Sequence, residues 1–307
     1  MKEEIYNLYL FLENDEITNL GCQSYILENI NDDEKTNYLA ERSIHDYRCC
    51  KIYELPGKYK GKTLADFTAL ARLGAHFSVF ESIFQDYNAS MNPLFAITMI
   101  VNGVPRIDLV TNHNPLFLSK YQNTSITGDG IMIDYLETYI ENGKLNIKKL
   151  IHDDYFNAIN LLIKNNYFIS AIKLILSFID TIAFVEFGDS GNVFIKWLDK
   201  FSNLNQINTT SEELWEFRNS VLHMTNIDSR KHRKKVISRI SFYMGNDEEW
   251  APKYNNDIKH INFIVFLKTI EMAVDNWILS YQNNIDKVSE FVKRYDQTLS
   301  DYRVAKI

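Results

Sequence analysis

"TTSEELWEFRNSVLHM", residues 209–224, reads as an amphipathic helix with an arginine inside its apolar arc. Thr210 is the expected N-cap, and Glu213 three residues on completes a capping-box spacing that satisfies two otherwise orphaned amides. At ~100° per residue, Leu214, Phe217, Val221 and Met224 share one side, and Trp215 with Leu222 widens the apolar surface. Arg218 projects between Leu214 and Leu222. A guanidinium there needs a carboxylate, carbonyls, a bound phosphate or water at a subunit seam, because burying it unpaired is costly. The opposite arc carries Glu216, Asn219, Ser220 and His223, with Asn219 and His223 four apart and so close together.

The surrounding sequence is helical. "LIHDDYFNAINLLIKNN" (150–166) and "YFISAIKLILSFIDTIAFVEF" (167–187) read as consecutive helices, the second apolar almost all round and therefore buried on several sides. "GDSG" (188–191) breaks the pattern, followed by "FIKWLDKF" (194–201), the helix of 209–224, a basic stretch and the long apolar "INFIVFLKTIEMAVDNWILSY" (261–281). These make a bundle of about five elements. Asp180 lies within the second apolar helix, where an isolated acid demands a partner; Arg218 is one candidate.

The first half has a different texture. "LADFTALARLGAHFSVFESIF" (64–84) has helical spacing, whereas "FAITMIVNGVPRIDLV" (95–110) sets two β-rich runs around Asn102 and Gly103, a hairpin signal. Turn-formers gather in "NTSITGDGIM" (123–132) and "IENGKLNI" (140–147), placing a domain boundary near residue 145. The expected fold is mostly α: an α+β domain over 1–145, then a helical bundle over 146–307.

Composition agrees. Only 11 Gly and 5 Pro in 307 residues favour helices, and 46% hydrophobic content supports a substantial core. Three cysteines, Cys22, Cys49 and Cys50, are too few for a disulfide framework and fit a reducing cytoplasm. "MKEEIYNLYLFLENDEIT" carries acids within and beside its apolar run, so neither a signal peptide nor a membrane span is expected there. A net charge of -7 argues against nucleic acid coating the whole surface, but "SRKHRKKVISR" (229–239) has six Lys or Arg and no acid. Within it Arg230, Lys231, Arg233, Lys234 and Lys235 are the candidate RNA contacts, against the plainer reading of a solvated face. "RSIHDYRCC" (42–50) gathers His45, Asp46, Cys49 and Cys50 but lacks a second ligand cluster at zinc-like spacing, so no metal is expected. "TNHNPLF" (111–117) reads as a turn. No phosphate loop, GxGxxG or GxSxG is present, which leaves kinase, dinucleotide and serine-hydrolase readings without support and no cofactor expected.

The spacing within "RNSVLH", an arginine followed by an adjacent asparagine and a histidine five residues on, resembles the R-x4-6-H signature of the HEPN superfamily (higher eukaryote and prokaryote nucleotide-binding domains). The order of helices over about 148–285 resembles that superfamily too; the first half does not. The resemblance implies a helical bundle that dimerises and, in nuclease members, a metal-independent endoribonuclease with roles in phage defence or as toxins. Arg218, Asn219 and His223 would then be catalytic, with Asp180 supporting. The residue types suit the chemistry. Cleavage through the 2′-hydroxyl needs a group that exchanges protons near neutrality, as histidine does, and fixed positive charge on the developing phosphorane, as arginine supplies. Asn219 would orient the imidazole or the phosphate. On an ideal helix Arg218 and His223 diverge by about 140°, so either the helix distorts near the histidine or two subunits share a site, and the family's dimeric habit suggests the second. The rival is a non-catalytic dimerisation module that binds RNA or a nucleotide. A sensing task, or a regulatory partner, falls to the first half by analogy alone.

Overall fold

The run from Lys2 to Glu13 is buried on both faces because it becomes the centre of a sheet. In the computed structural model, which describes residues 2–106, 116–117, 131–132, 135–224, 237–245 and 258–299, strand β1 (Lys2–Glu13) turns back into the antiparallel β2 (Glu16–Glu28). The turn is Asn14–Asp15, both left-handed at φ 51° and 68°, a conformation these side chains tolerate and a twisted hairpin favours. Helix α1 (Asp32–Asp46) leads to β3 (Lys51–Glu54) on the outer side of β2. Helix α2 (Leu64–Arg72), a 3-10 turn over His76–Val79 and α3 (Glu81–Asp86) follow, so the expected helix of 64–84 is three pieces, broken after α2 at the left-handed Gly74. Strand β4 (Phe95–Val101) then runs parallel to β1, and β5 (Val104–Arg106) returns on the expected Asn102–Gly103 turn.

The sheet order is β3-β2-β1-β4-β5. Tyr6, Leu8, Leu10 and Leu12 pack on one face against Phe67, Phe80 and Ile83 from the helices, while Tyr9, Cys50 and Ile100 form a smaller cluster with Phe11 and Tyr47. Gly21 of β2 has no room for a side chain, since a Cβ would lie 2.6 Å from Cys50 Sγ. Two short antiparallel pairs follow: β6 (Leu116–Phe117) with β7 (Ile131–Met132), and β8 (Ile140–Glu141) with β9 (Lys144–Leu145). The chain divides into two compact units between Leu145 and Asn146.

The second unit is helical. A continuous helix comprises α4 (Ile147–Ile151), a π turn over His152–Phe156 and α5 (Asn157–Lys164). Helix α6 (Phe168–Phe187) is the core helix, with Ile175, Leu176, Phe178, Ile179 and Ile182 fully buried. It is long and apolar enough to cross a membrane by length and composition, but half of its apolar window is buried by its neighbours, as in a core helix. Next come α7 (Val193–Phe201) and α8 (Ser211–Asn219), then α9 (Phe263–Leu279) and α10 (Ile285–Leu299).

Two features differ from the expected five-element bundle. A parallel pair, β10 (Arg239–Tyr243) and β11 (Ile258–Asn262), precedes α9, so residues 261–262 are strand and Asn262 is the N-cap of α9. Helix α10 adds a further element whose Phe291, Val292 and Tyr295 are fully buried. The C-terminal end of α6 is tied by one carboxylate. Glu186, its side chain 4% exposed, accepts from Lys200 Nζ (2.8 Å), Lys287 Nζ (3.0 Å), Trp277 Nε1 (3.0 Å) and Tyr281 OH (2.9 Å). It thereby links α6, α7, α9 and the start of α10.

Candidate functional site

Helix α8 starts as its sequence requires. Thr210 accepts from the Glu213 amide, and Glu213 accepts from the Thr210 amide at 3.0 Å while also taking Lys259 Nζ at 2.7 Å. Leu214 and Phe217 are buried, which turns Arg218 toward α6. There the guanidinium meets the lone acid in the middle of that helix. Asp180 Oδ2 lies 2.6 Å from both Arg218 Nε and Nη2, and Asn219 Oδ1 accepts from Arg218 Nη1 at 2.9 Å. The guanidinium carbon sits 5.0 Å from the centroid of the Trp215 ring. The pair is neither sealed nor free in solvent: the Arg218 side chain is 17% exposed and that of Asp180 26%. Arg218 thus finds a carboxylate within its own chain.

Beyond Asn219 the helix changes its winding. Ser220 is buried and donates its hydroxyl to the Glu216 carbonyl at 2.9 Å, a back-bond that crowds that carbonyl and tends to bend helices. From there Ser220–Met224 is a π segment. Its i→i+5 bonding takes more residues per turn than an α-helix, so positions five apart fall closer to one face than the ~140° of an α-helix. A distortion of the helix near the histidine, one of the two ways to bring positions 218 and 223 together, is present. The backbone places His223 in this segment; its side chain, and Arg230, Lys231, Arg233, Lys234 and Lys235, lie outside the described residues.

Beside this cluster an apolar cavity of about 430 Å³ opens between the first turns of α6 and the edge of β10. Phe168, Ile169, Ile172 and Lys173 line it from α6, Phe217 and Val221 from α8 and its π extension, and Ile240–Met244 from β10 and the residue after it. Neither Lys173 nor this cavity is marked in the sequence, because β10 is short and the ring cluster of Phe217, Phe242 and Phe263 forms only on folding. Trp215 does carry a signal: three residues before Arg218, it stands on the adjoining turn, where its ring can face the guanidinium as well as widen the apolar surface.

Of residues 42–50, Ser43, Asp46 and Cys50 are buried in the first unit, and Arg42, Ile44, His45, Arg48 and Cys49 are exposed. Asp46 accepts from Tyr25 OH and from Asn7 Nδ2 (3.3 Å), Cys50 is buried and Cys49 exposed. Among the described residues no group of three or more His, Cys, Asp or Glu gathers as metal ligands do. The stretch 111–117 lies outside the described residues except for β6. No family model matches the chain, and neither a curated protein nor a solved structure does.

Proposed function

We propose that the chain is a metal-independent endoribonuclease of the HEPN type that works as a homodimer, with Arg218, Asn219 and His223 as its catalytic residues. The observation that carries this reading is the guanidinium of Arg218, aimed by Asp180 and Asn219 on a helix that turns π just before position 223. In the reaction the substrate's 2′-oxygen attacks phosphorus, the 5′-oxygen leaves, and the new strand end carries a 2′,3′-cyclic phosphate. The nucleophile belongs to the RNA, so no metal is needed to generate one. His223 exchanges a proton with the 2′-hydroxyl or the leaving 5′-oxygen. Arg218 meets the charge that develops on the phosphoryl oxygens. Asp180 is a positioning residue: it offsets part of the arginine's charge and fixes its direction. The basic run 229–239 supplies attraction for the phosphate backbone. Phage defence or toxin activity, in the cytoplasm and under control of the first unit, follows by analogy with HEPN nucleases.

A second reading rests on the same ion pair. A guanidinium already satisfied by Asp180 and Asn219 also suits a non-catalytic module that dimerises and binds RNA or a nucleotide. The two part company in one assay, incubation with end-labelled RNA in excess chelator. Nuclease chemistry gives products ending in 2′,3′-cyclic phosphate, or the 3′-phosphate it hydrolyses to. Intact RNA in chelator, with cleavage restored by Mg²⁺ or Mn²⁺, would sink it.

A further inference from the structure

The cavity beside the arginine has an unusual wall. Consecutive residues of β10, Ile240 to Tyr243, line it together with Met244 just beyond the strand. Successive strand side chains point to opposite faces, so a cavity touching all of them looks onto the strand's edge rather than one face. That edge is the one away from β11, since β10 pairs with β11 alone among the described residues. A strand edge offers backbone amides and carbonyls, and here Ser241 lines the cavity among Phe217, Phe242 and Phe263. Aromatic faces with a few polar groups at an edge are what an unstacked base is held by. Its volume of about 430 Å³ falls in the usual range for small-molecule sites, roughly 300–1,000 Å³.

The mouth carries a charge. Lys173 is half-buried there, and among the described residues no carboxylate pairs with it. A half-buried lysine beside an apolar hole favours a ligand with a flat apolar body and an anionic neighbour. The site also adjoins the arginine. Lys173 precedes Asp180 by two turns on one stripe of α6, a rise of about 10 Å, and Phe217 and Val221 flank Arg218 on its own helix.

We infer that this cavity is a base pocket, in which one nucleobase of the RNA enters against Phe217, Phe242 and the β10 edge while an adjoining phosphate rests on Lys173; the inference rests on the ribonuclease reading. The pocket would hold the strand so that a neighbouring phosphate reaches Arg218, which makes Lys173 a binding residue and the β10 edge a determinant of base preference.

Calorimetric titration of the full chain with the four nucleoside 3′-monophosphates, inorganic phosphate and octanoate tests this without requiring turnover. At least one nucleotide should bind tenfold or more tightly than phosphate. Ser241→Trp, which fills the cavity, should remove that advantage, and Lys173→Met should weaken the nucleotide at least threefold. If Ser241→Trp does not fold, Ile169→Glu serves in its place, because Ile169 is 71% exposed at the rim and puts a repelling carboxylate there. Equal affinity for nucleotides and phosphate, octanoate binding ahead of nucleotides, or a nucleotide affinity unmoved by every folded variant would overturn the pocket. Nucleotide binding that obeys the variants in a protein that cleaves no RNA keeps the pocket and removes the nuclease. RNA cleavage unaltered in rate and base preference by a folded Ser241→Trp does the reverse.

Discussion

Arg218 and Asp180 each break the pattern of an apolar helix, and the physical reason is shared: each is the other's partner. That much is legible in the sequence, because an acid alone in an apolar helix must be matched, and this arginine is an unexplained cation on a neighbouring helix. Its direction is not legible; it depends on Trp215 and on which way α8 faces. Removing the guanidinium takes from the partly buried Asp180 its ion pair with Arg218, and a hydrogen bond to a charged group contributes roughly 1.5–3 kcal/mol. Arg218→Ala should therefore be destabilised by that amount and lose RNA cleavage, whereas Asp180→Asn should keep the fold better and lower cleavage through a misdirected arginine. Thermal melts beside cleavage rates decide the matter. If Arg218→Ala and Asp180→Asn lower stability while a soluble, folded fraction cleaves normally, the pair is structural only.

At the scale of elements, the readable parts are those with local signals. The Thr210 capping box, the Asn102–Gly103 hairpin and the 20-residue core helix all announce themselves within a few residues. The β1–β2 hairpin escapes such a reading because its central strand is buried on both sides and loses the alternation that marks a strand. Helix α10 escapes it for the opposite reason: its sequence is mostly polar, and a few buried side chains such as Phe291, Val292 and Tyr295 hold it. Nothing in composition separates a π turn from an α turn, so the winding at Ser220–Met224 has no sequence signal of its own. It is testable. Deleting Ser220 removes the extra residue that a π turn accommodates and should restore α winding, with His223 then four positions after Arg218 and about 40° from it, on one face. The outcome expected is a helical, folded protein that still cleaves RNA. Cleavage lost as completely as in His223→Ala would show that bringing the two positions to one face is not what the π turn does for the site.

The whole molecule is an α+β unit followed by a helical one, and the sign of its charge matters to how it meets RNA. An acidic chain with one basic run should draw the phosphate backbone mainly through that run. Neutralising Lys231, Arg233, Lys234 and Lys235 should flatten the salt dependence of RNA binding by about 0.7 in log–log slope for each phosphate left without its cation. Filter binding between low and moderate salt measures it, and an unchanged slope would return the run to ordinary solvated surface. The tie at Glu186 sets another limit. Burial by itself would raise its carboxyl, but the hydrogen bonds from Lys200, Lys287 and Tyr281 outweigh that and hold it below the ordinary value. A group lowered in the folded state stabilises fully above its unfolded value of ~4.3, and that contribution is lost as pH falls through the folded value. Protonation would leave two ammonium groups crowding a neutral acid where four helices meet, so acid acts here as a solvent for the bundle's own knot. Melting temperature followed from about pH 7 to about pH 3 should drop steeply in the wild-type protein and more gently in Glu186→Gln, and parallel curves would mean that the acid limit lies in some other carboxylate.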